Sequence, residues 1–270
     1  MRMNLPALAL LLASLGLAGC GDDASSSLTL AGSSTVAPLA DEIGKRFESE
    51  HPGVEINVQA GGSSRGIADA RRGLVDIGTA SRALAPSESD LVAHTIALDG
   101  IALIVHEDNP VSSLTQAQVR DLYTGAVGKW AAVGGEQAPV TVVNKAEGRA
   151  TLAVFLEHFD LAGPDIQADV VVGHNQQAIK TVAGNRHAIA YVSIGTAEYE
   201  AAHGSPIRLL ALDGAAATSE NVRGGRYPLV RELNLVTRPN PSGLAKAFID
   251  YARSPAVQDL IKQLHFIPAG

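Results

Sequence analysis

The sequence predicts an α/β protein with a mostly parallel sheet, and three observations carry that prediction. Apolar, strand-like runs alternate with helix-periodic stretches along the whole chain, which is the pattern of α/β layers. Strands repeatedly run into Gly- or hydroxyl-rich turns that open a helix, at Ala31-Gly32-Ser33-Ser34-Thr35, Gly61-Gly62-Ser63-Ser64-Arg65-Gly66 and Arg149-Ala150-Thr151. With 46% hydrophobic and 18% charged residues over 270 positions, the chain can build a substantial core in one large domain or two ordinary ones.

The N-terminal segment reads as a targeting sequence. Arg2 gives a weakly basic start, Leu5 to Leu17 an apolar stretch too short to span a bilayer, and Ala18-Gly19 small residues before Cys20. Leu17-Ala18-Gly19-Cys20 resembles the bacterial lipoprotein box, so residues 1–19 are expected to be a signal peptide and residues 20–27 a tether lipidated at Cys20. Cys20 is the only cysteine, so the mature domain is expected to carry no disulfide, and the targeting segment implies a place outside the cytoplasm, membrane-anchored at the periplasm or cell surface.

The first strand is expected at Leu28-Thr29-Leu30. A helix follows, with apolar residues at Val36, Leu39, Ala40, Ile43 and Phe47, and Pro52-Gly53 breaks it. Val54 to Val58 alternates as a strand, and Ile67, Ala68 and Ala70 mark a short helix after the second Gly/Ser turn. Leu74 to Gly78 reads as a strand ending at Ser81-Arg82, and Ile101 to Val105 as a buried one. Asp108-Asn109-Pro110 is a turn. Thr115 and Gln118 form a capping box, with Leu114 and Val119 as its hydrophobic staple and Gly125 ending the helix. Trp130 belongs to packing. Strands at Val140–Val143, Val170–Val172 and Ala188–Val192 alternate with helices, one over Leu152, Val154, Phe155, Leu156 and Phe159, the other capped by Asn175 and carrying Ala178, Ile179 and Val182. A polar loop over 214–225, a strand at Leu233–Thr237 and two helices parted at Ser254-Pro255 complete the chain.

The repeated junctions are where chemistry is expected. The first N–H groups of a helix lack internal partners and carry partial positive charge, and Ser or Thr adds donors at little steric cost. Ser34, Thr35, Ser63, Arg149, Ala150 and Thr151, with Ser81 and Arg82 at a strand end and Ser33, Ser64 and Lys145 beside them, would together form a donor-rich cup for a tetrahedral oxyanion. Taken singly, each junction is equally well an ordinary helix cap.

Gly62-Ser63-Ser64-Arg65-Gly66 also fits G-x-S-x-G between a strand and a helix, so a serine esterase using Ser64 is a rival reading; only two strand signals precede it and no HGGG-like oxyanion motif is found. A Walker loop is excluded because Ile67 stands where Lys is required. No histidine spacing suits a metal, no cofactor is expected, and the net charge of −7 argues against nucleic acid.

The motifs Ala31 to Pro38, Gly61 to Ile67, Asp76-Ile77-Gly78, Thr79 to Arg82, Leu98 to Ala102, Leu122 to Gly125 and Pro241 to Ala245 resemble, in order along the mature chain, the phosphate-binding subunits of bacterial ABC importers. The resemblance implies a type II periplasmic binding fold, with lobe I over 28–106 plus 226–270, lobe II over 107–225, and crossings at Asp108–Pro110 and before Leu233. It implies a monomer that binds inorganic phosphate without covalent chemistry and serves ABC permease subunits. Ser34, Thr35, Ser63 and Ser81 would donate from one lobe and Arg149, Ala150 and Thr151 from the other. Two departures stand out. Where many relatives have Arg, two residues, Gly and Ser-Gly-Thr, this chain has Lys145, tied to Glu147, with Arg149 taking over the charge. Arg82 replaces an Asp that in some relatives accepts the ligand's proton. Discrimination of phosphate from sulfate is correspondingly open, as are permease-free roles in sensing or adhesion.

Overall fold

The structure, a computed structural model, describes residues 26–269; the signal peptide and Cys20 lie outside them. Its first half comprises β1 (Ser26–Gly32), α1 (Ala37–Glu50), β2 (Val54–Ala60), α2 (Ser63–Arg72) and β3 (Ile77–Ala80). A long strand, β4 (Val92–His106), leads to β5 (Ser113–Leu114), α3 (Gln116–Tyr123), β6 (Thr141–Lys145), α4 (Ala150–Phe159), β7 (Val170–Val172) and α5 (Asn175–Ala183). Then follow β8 (Ala188–Ser193), α6 (Ile194–Ala202), β9 (Ile207–Leu209), β10 (Ala211–Leu212) and α7 (Ser219–Arg223). The chain returns through β11 (Val230–Thr237), α8 (Gly243–Ala252), α9 (Gln258–Gln263) and β12 (Ile267–Pro268).

One curled sheet runs β2-β1-β3-β11-β4-β8-β6-β7. Each flank is parallel: β1 pairs with β2 and β3, and β6 with β7 and β8. The two strands at its centre, β4 and β11, are antiparallel to each other and to their outer neighbours. They carry the chain between the halves. β4 pairs with β11 as far as Gly100 and with β8 from Ile101 onward, while Ile101 N donates to Leu229 O just ahead of β11, at 2.9 Å. β4 therefore changes partner from β11 to β8 at Gly100–Ile101, ahead of the Asp108–Pro110 turn. A strand already paired on both sides needs no separate linker.

Each half buries its own apolar surface. Leu39, Ala40, Ile43 and Phe47, the predicted stripe of α1, pack with Leu28, Leu30, Leu233 and Phe248. In the other half Tyr123, Phe155, Phe159 and Tyr191 join Leu122, Val142 and Ile189, with the Phe155 and Tyr191 rings stacked at 3.9 Å. Thr115 Oγ1 accepts from Gln118 N and Gln118 Oε1 from Thr115 N, at 3.2 and 2.8 Å, so the capping box forms as read. Trp130 is buried and donates to His187 O.

Four local expectations are corrected. The strand expected from Leu74 begins at Ile77, because Gly73 turns left-handed to end α2 and leaves Leu74 64% exposed. β1 starts at Ser26, inside the expected tether, where pairing with β2 extends it. Asn175 is the first helical residue of α5 rather than its cap, which His174 occupies. The loop over 214–225 contains α7, capped by the Thr218 side chain.

Candidate functional site

A small polar hollow lies where the two halves meet. The turn before α1 and the first turns of α2, α4 and α5 all point at it; its lining is Ser33, Ser34, Thr35, Gly62, Ser63, Ser81, Lys145, Arg149, Ala150, Thr151, Gly173 and Asn175. Several helix starts and their aligned dipoles therefore converge on one spot. Such a spot favours an anion.

The hydroxyls are set as donors by what they accept. Ser63 Oγ takes a hydrogen bond from Ser81 N at 3.2 Å. Beneath the hollow, the Arg231 guanidinium donates to Thr151 Oγ1 at 2.9 Å, Thr35 Oγ1 at 3.1 Å and Ser81 Oγ at 3.3 Å. Asn175 Nδ2 also donates to Thr35 Oγ1, at 3.1 Å. A hydroxyl that accepts from a cation keeps its own hydrogen for another partner, and these three come from three different elements. Arg231 is held in turn by Asp99, whose Oδ2 accepts Nε at 3.1 Å and Nη2 at 2.9 Å, while Oδ1 accepts Gly195 N. Both members of the pair are 1% exposed.

Two further cations face the hollow. The Arg149 guanidinium lies against backbone, where a Cβ on Gly62 would stand 3.0 Å from Nη1 and one on Gly173 3.2 Å from Nη2. Arg149 Nη1 is buried and has no hydrogen-bond partner among the described residues. An unsatisfied buried guanidinium nitrogen is costly unless something accepts from it. Lys145 is 3% exposed; its Nζ donates to His174 O at 3.1 Å and to Asn175 Oδ1 at 3.3 Å. Burial first, then the Arg231 and Arg149 charges, lower its ammonium to about 7. Burial, then the Arg149 and Lys145 charges, depress the His174 imidazole.

Most of the predicted set is thus assembled: Ser33, Ser34, Thr35, Ser63, Ser81, Lys145, Arg149, Ala150 and Thr151 all line the hollow. Ser33 serves chiefly as a turn former, its Oγ accepting from Thr35 N and Val36 N. Arg82 is a correction. Its guanidinium turns away into a two-pronged pair with Glu88, at 2.7 and 2.8 Å, because the carboxylate six residues on is also fixed by Ala85 N. Ser64 is a second correction, exposed outside the lining, with its amide donating to Gly148 O; no hydrogen bond ties it to a histidine among the described residues, so no nucleophile assembly forms. Lys145 pairs with His174 and Asn175 instead of Glu147, which is exposed.

Sequence reasoning missed Arg231, Asp99 and Asn175. A signal existed for Arg231. It lies two residues before Leu233 and four before Leu235, on the side of the strand that carries these buried apolar residues, where a charge needs a buried partner.

A mixed sheet crossed twice by the chain, with an anion-directed hollow at the crossings, defines a solute-binding protein with the type II periplasmic binding fold. The chain belongs to the PBP superfamily, whose domain profile matches residues 21–256, and within it to the PstS-like proteins. The phosphate-binding protein PstS of Bacillus subtilis is 29% identical over 92% of this chain and 82% of its own. A solved Clostridium perfringens structure, assigned as a phosphate ABC transporter substrate-binding protein with bound phosphate, superposes with a TM-score of 0.85 at 32% identity, covering 91% of this chain and all of that one. An ABC-type phosphate transport receptor from Vibrio cholerae gives a TM-score of 0.74 at 28% identity over 90% of this chain and 100% of its own. The matched relatives are named as binding and transport proteins, not enzymes.

Proposed function

We propose that this protein captures inorganic phosphate in the hollow between its halves and delivers it to the permease of an ABC importer. The observation that carries the reading is the buried, unpartnered Nη1 of Arg149, placed among helix N-termini and guanidinium-held hydroxyls. Thr35, Ser63, Ser81 and Thr151 supply hydroxyl hydrogens, Ser34 and Ala150 backbone N–H groups, and Arg149 charge, with Lys145 completing the lining. The halves act as lobes: residues 28–100 with 230–270 form one, the intervening chain the other, and they close by bending along β4 and β11. On this reading the mature protein is a monomer outside the cytoplasm, anchored by lipid on Cys20. The cysteine's place after a short apolar segment and two small residues supports that part.

The absence of Asp and Glu from the lining favours a second ligand, sulfate, at the same place. Calorimetric titration separates the two. Phosphate is expected to bind at one site, and Arg149→Ala to weaken it at least tenfold, about 1.4 kcal/mol. Failure of phosphate to bind the unaltered protein overturns the reading; an unchanged affinity in the variant removes Arg149 from the site.

A further inference from the structure

The lining offers donors almost everywhere, yet phosphate near neutral pH carries a hydrogen that must itself be accepted. No lining residue is a carboxylate, and the nearby Asp99 is committed on both oxygens, to Arg231 and to Gly195 N. The Thr35 hydroxyl already accepts twice, from Asn175 and Arg231. Among the lining side chains Lys145 is the one whose role as donor or acceptor changes with its charge. Two of its hydrogens are taken by His174 O and Asn175 Oδ1, and the remaining position on Nζ belongs to a side chain that lines the hollow. In the ammonium that position is a third N–H; in the neutral amine it is a lone pair.

We propose that Lys145 is the residue that distinguishes a hydrogen-bearing oxyanion from a fully ionised one, its neutral amine accepting the anion's O–H through the one position that protein acceptors leave open. The inference rests on the phosphate reading of the site and gives that site a specificity element. No covalent bond changes, and the hydrogen stays within one O–H···N contact. Burial and the neighbouring positive charges favour the neutral form, against the two acceptors that hold its hydrogens. Arg149 at the start of α4 and Arg231 on β11 are cations, while α5 contributes a carbonyl, an amide and the His174 imidazole, itself depressed. From β8 the Tyr191 hydroxyl accepts from the Lys145 backbone N, and Asp99 is neutralised by Arg231. With the ammonium lowered to about 7, the amine dominates above neutrality.

Sulfate has no hydrogen to give, so it must bind the ammonium form. Calorimetry of the unaltered protein with phosphate and with sulfate from pH 7.5 to 9 tests this. The expected result is a sulfate affinity falling about tenfold per pH unit, following the ammonium fraction, while phosphate affinity stays level. In Lys145→Arg, a cation without an available lone pair, sulfate affinity is expected to be level and the preference for phosphate at pH 9 at least about tenfold smaller. Parallel pH profiles for the two anions in the unaltered protein overturn the inference while leaving phosphate capture intact. Sulfate that fails to bind at pH 6, where the ammonium is present, overturns it too. Absence of phosphate binding at every pH instead removes the functional reading beneath it.

Discussion

Arg231 illustrates how a single buried charge can organise a site without lining it. Its guanidinium stands under Thr35, Ser81 and Thr151 and is held in place by Asp99. Removing one partner of a fully buried pair strands the other in a low-dielectric interior. Asp99→Ala is therefore expected to destabilise the protein by about 3–5 kcal/mol, measured by urea unfolding, whereas a loss below about 1 kcal/mol would mean that water or the hydroxyls alone satisfy Arg231. The contrast with Arg82 marks what residue-level reading can carry. Hydroxyls and helix starts recur in a fixed order along the chain, so Ser34, Thr35, Ser63, Ser81 and Thr151 were legible from sequence. The direction of a long side chain at a strand end depends on loop geometry, and here the loop brings Glu88 within 2.7 Å of Arg82. Asp99 and Arg231 lie 132 positions apart, and only the pairing of β4 with β11 brings them together.

At the scale of the element, α2 reaches the hollow because a glycine lets it sit directly on the sheet. A Cβ at Gly66 would stand 2.3 Å from Ala31 O, 2.6 Å from Gly32 Cα and 3.0 Å from Thr79 O, all backbone atoms that cannot swing aside. Gly66→Ala must push α2 off β1 and β3 and carry Ser63 away from Ser81 N. The expected cost is about 1–3 kcal/mol of stability, net of the helix propensity gained, and a phosphate affinity reduced at least about tenfold. Thermal melts and calorimetry read both, with Gly128→Ala, where an added Cβ meets nothing within 4 Å, as the neutral control. The second glycine of the G-x-S-x-G pattern is thus explained by packing, and the esterase reading loses its motif. Elements with local signatures were legible in the same way: the apolar stripe of α1, the capping box of α3, the turn into α4. The first nine residues of β4 were not, because their pairing is with a strand 130 positions away and His94, Thr95 and Asp99 interrupt the apolar run. α6 follows β8 without a break, so only the acceptance of Thr196 N by Ser193 Oγ marks its start.

For the whole molecule, closure of the proposed lobes would be coupled to capture. Ser64 N donates to Gly148 O at 3.2 Å, Asn175 to Thr35 at 3.1 Å and Arg231 to Thr151 at 2.9 Å, so the contacts that join the halves are made by neighbours or members of the site. The ligand must first approach a surface of its own sign. The net charge is −7, and Asp41 lines a groove that shares Ser34 and Asn175 with the hollow, while Arg231 is cancelled by Asp99 and leaves Arg149 as the standing local attraction. At about 10 mM salt the screening length is roughly 30 Å, so an incoming dianion senses the negative molecule as a whole. Near 150 mM it shrinks to about 8 Å, and only the cations in the hollow are felt at close range. The association rate for phosphate is accordingly expected to rise a few-fold between these conditions in stopped-flow mixing, the reverse of ordinary electrostatic steering. A rate that falls with added salt would mean that the field of the hollow already dominates at long range and that net charge plays no part in the approach.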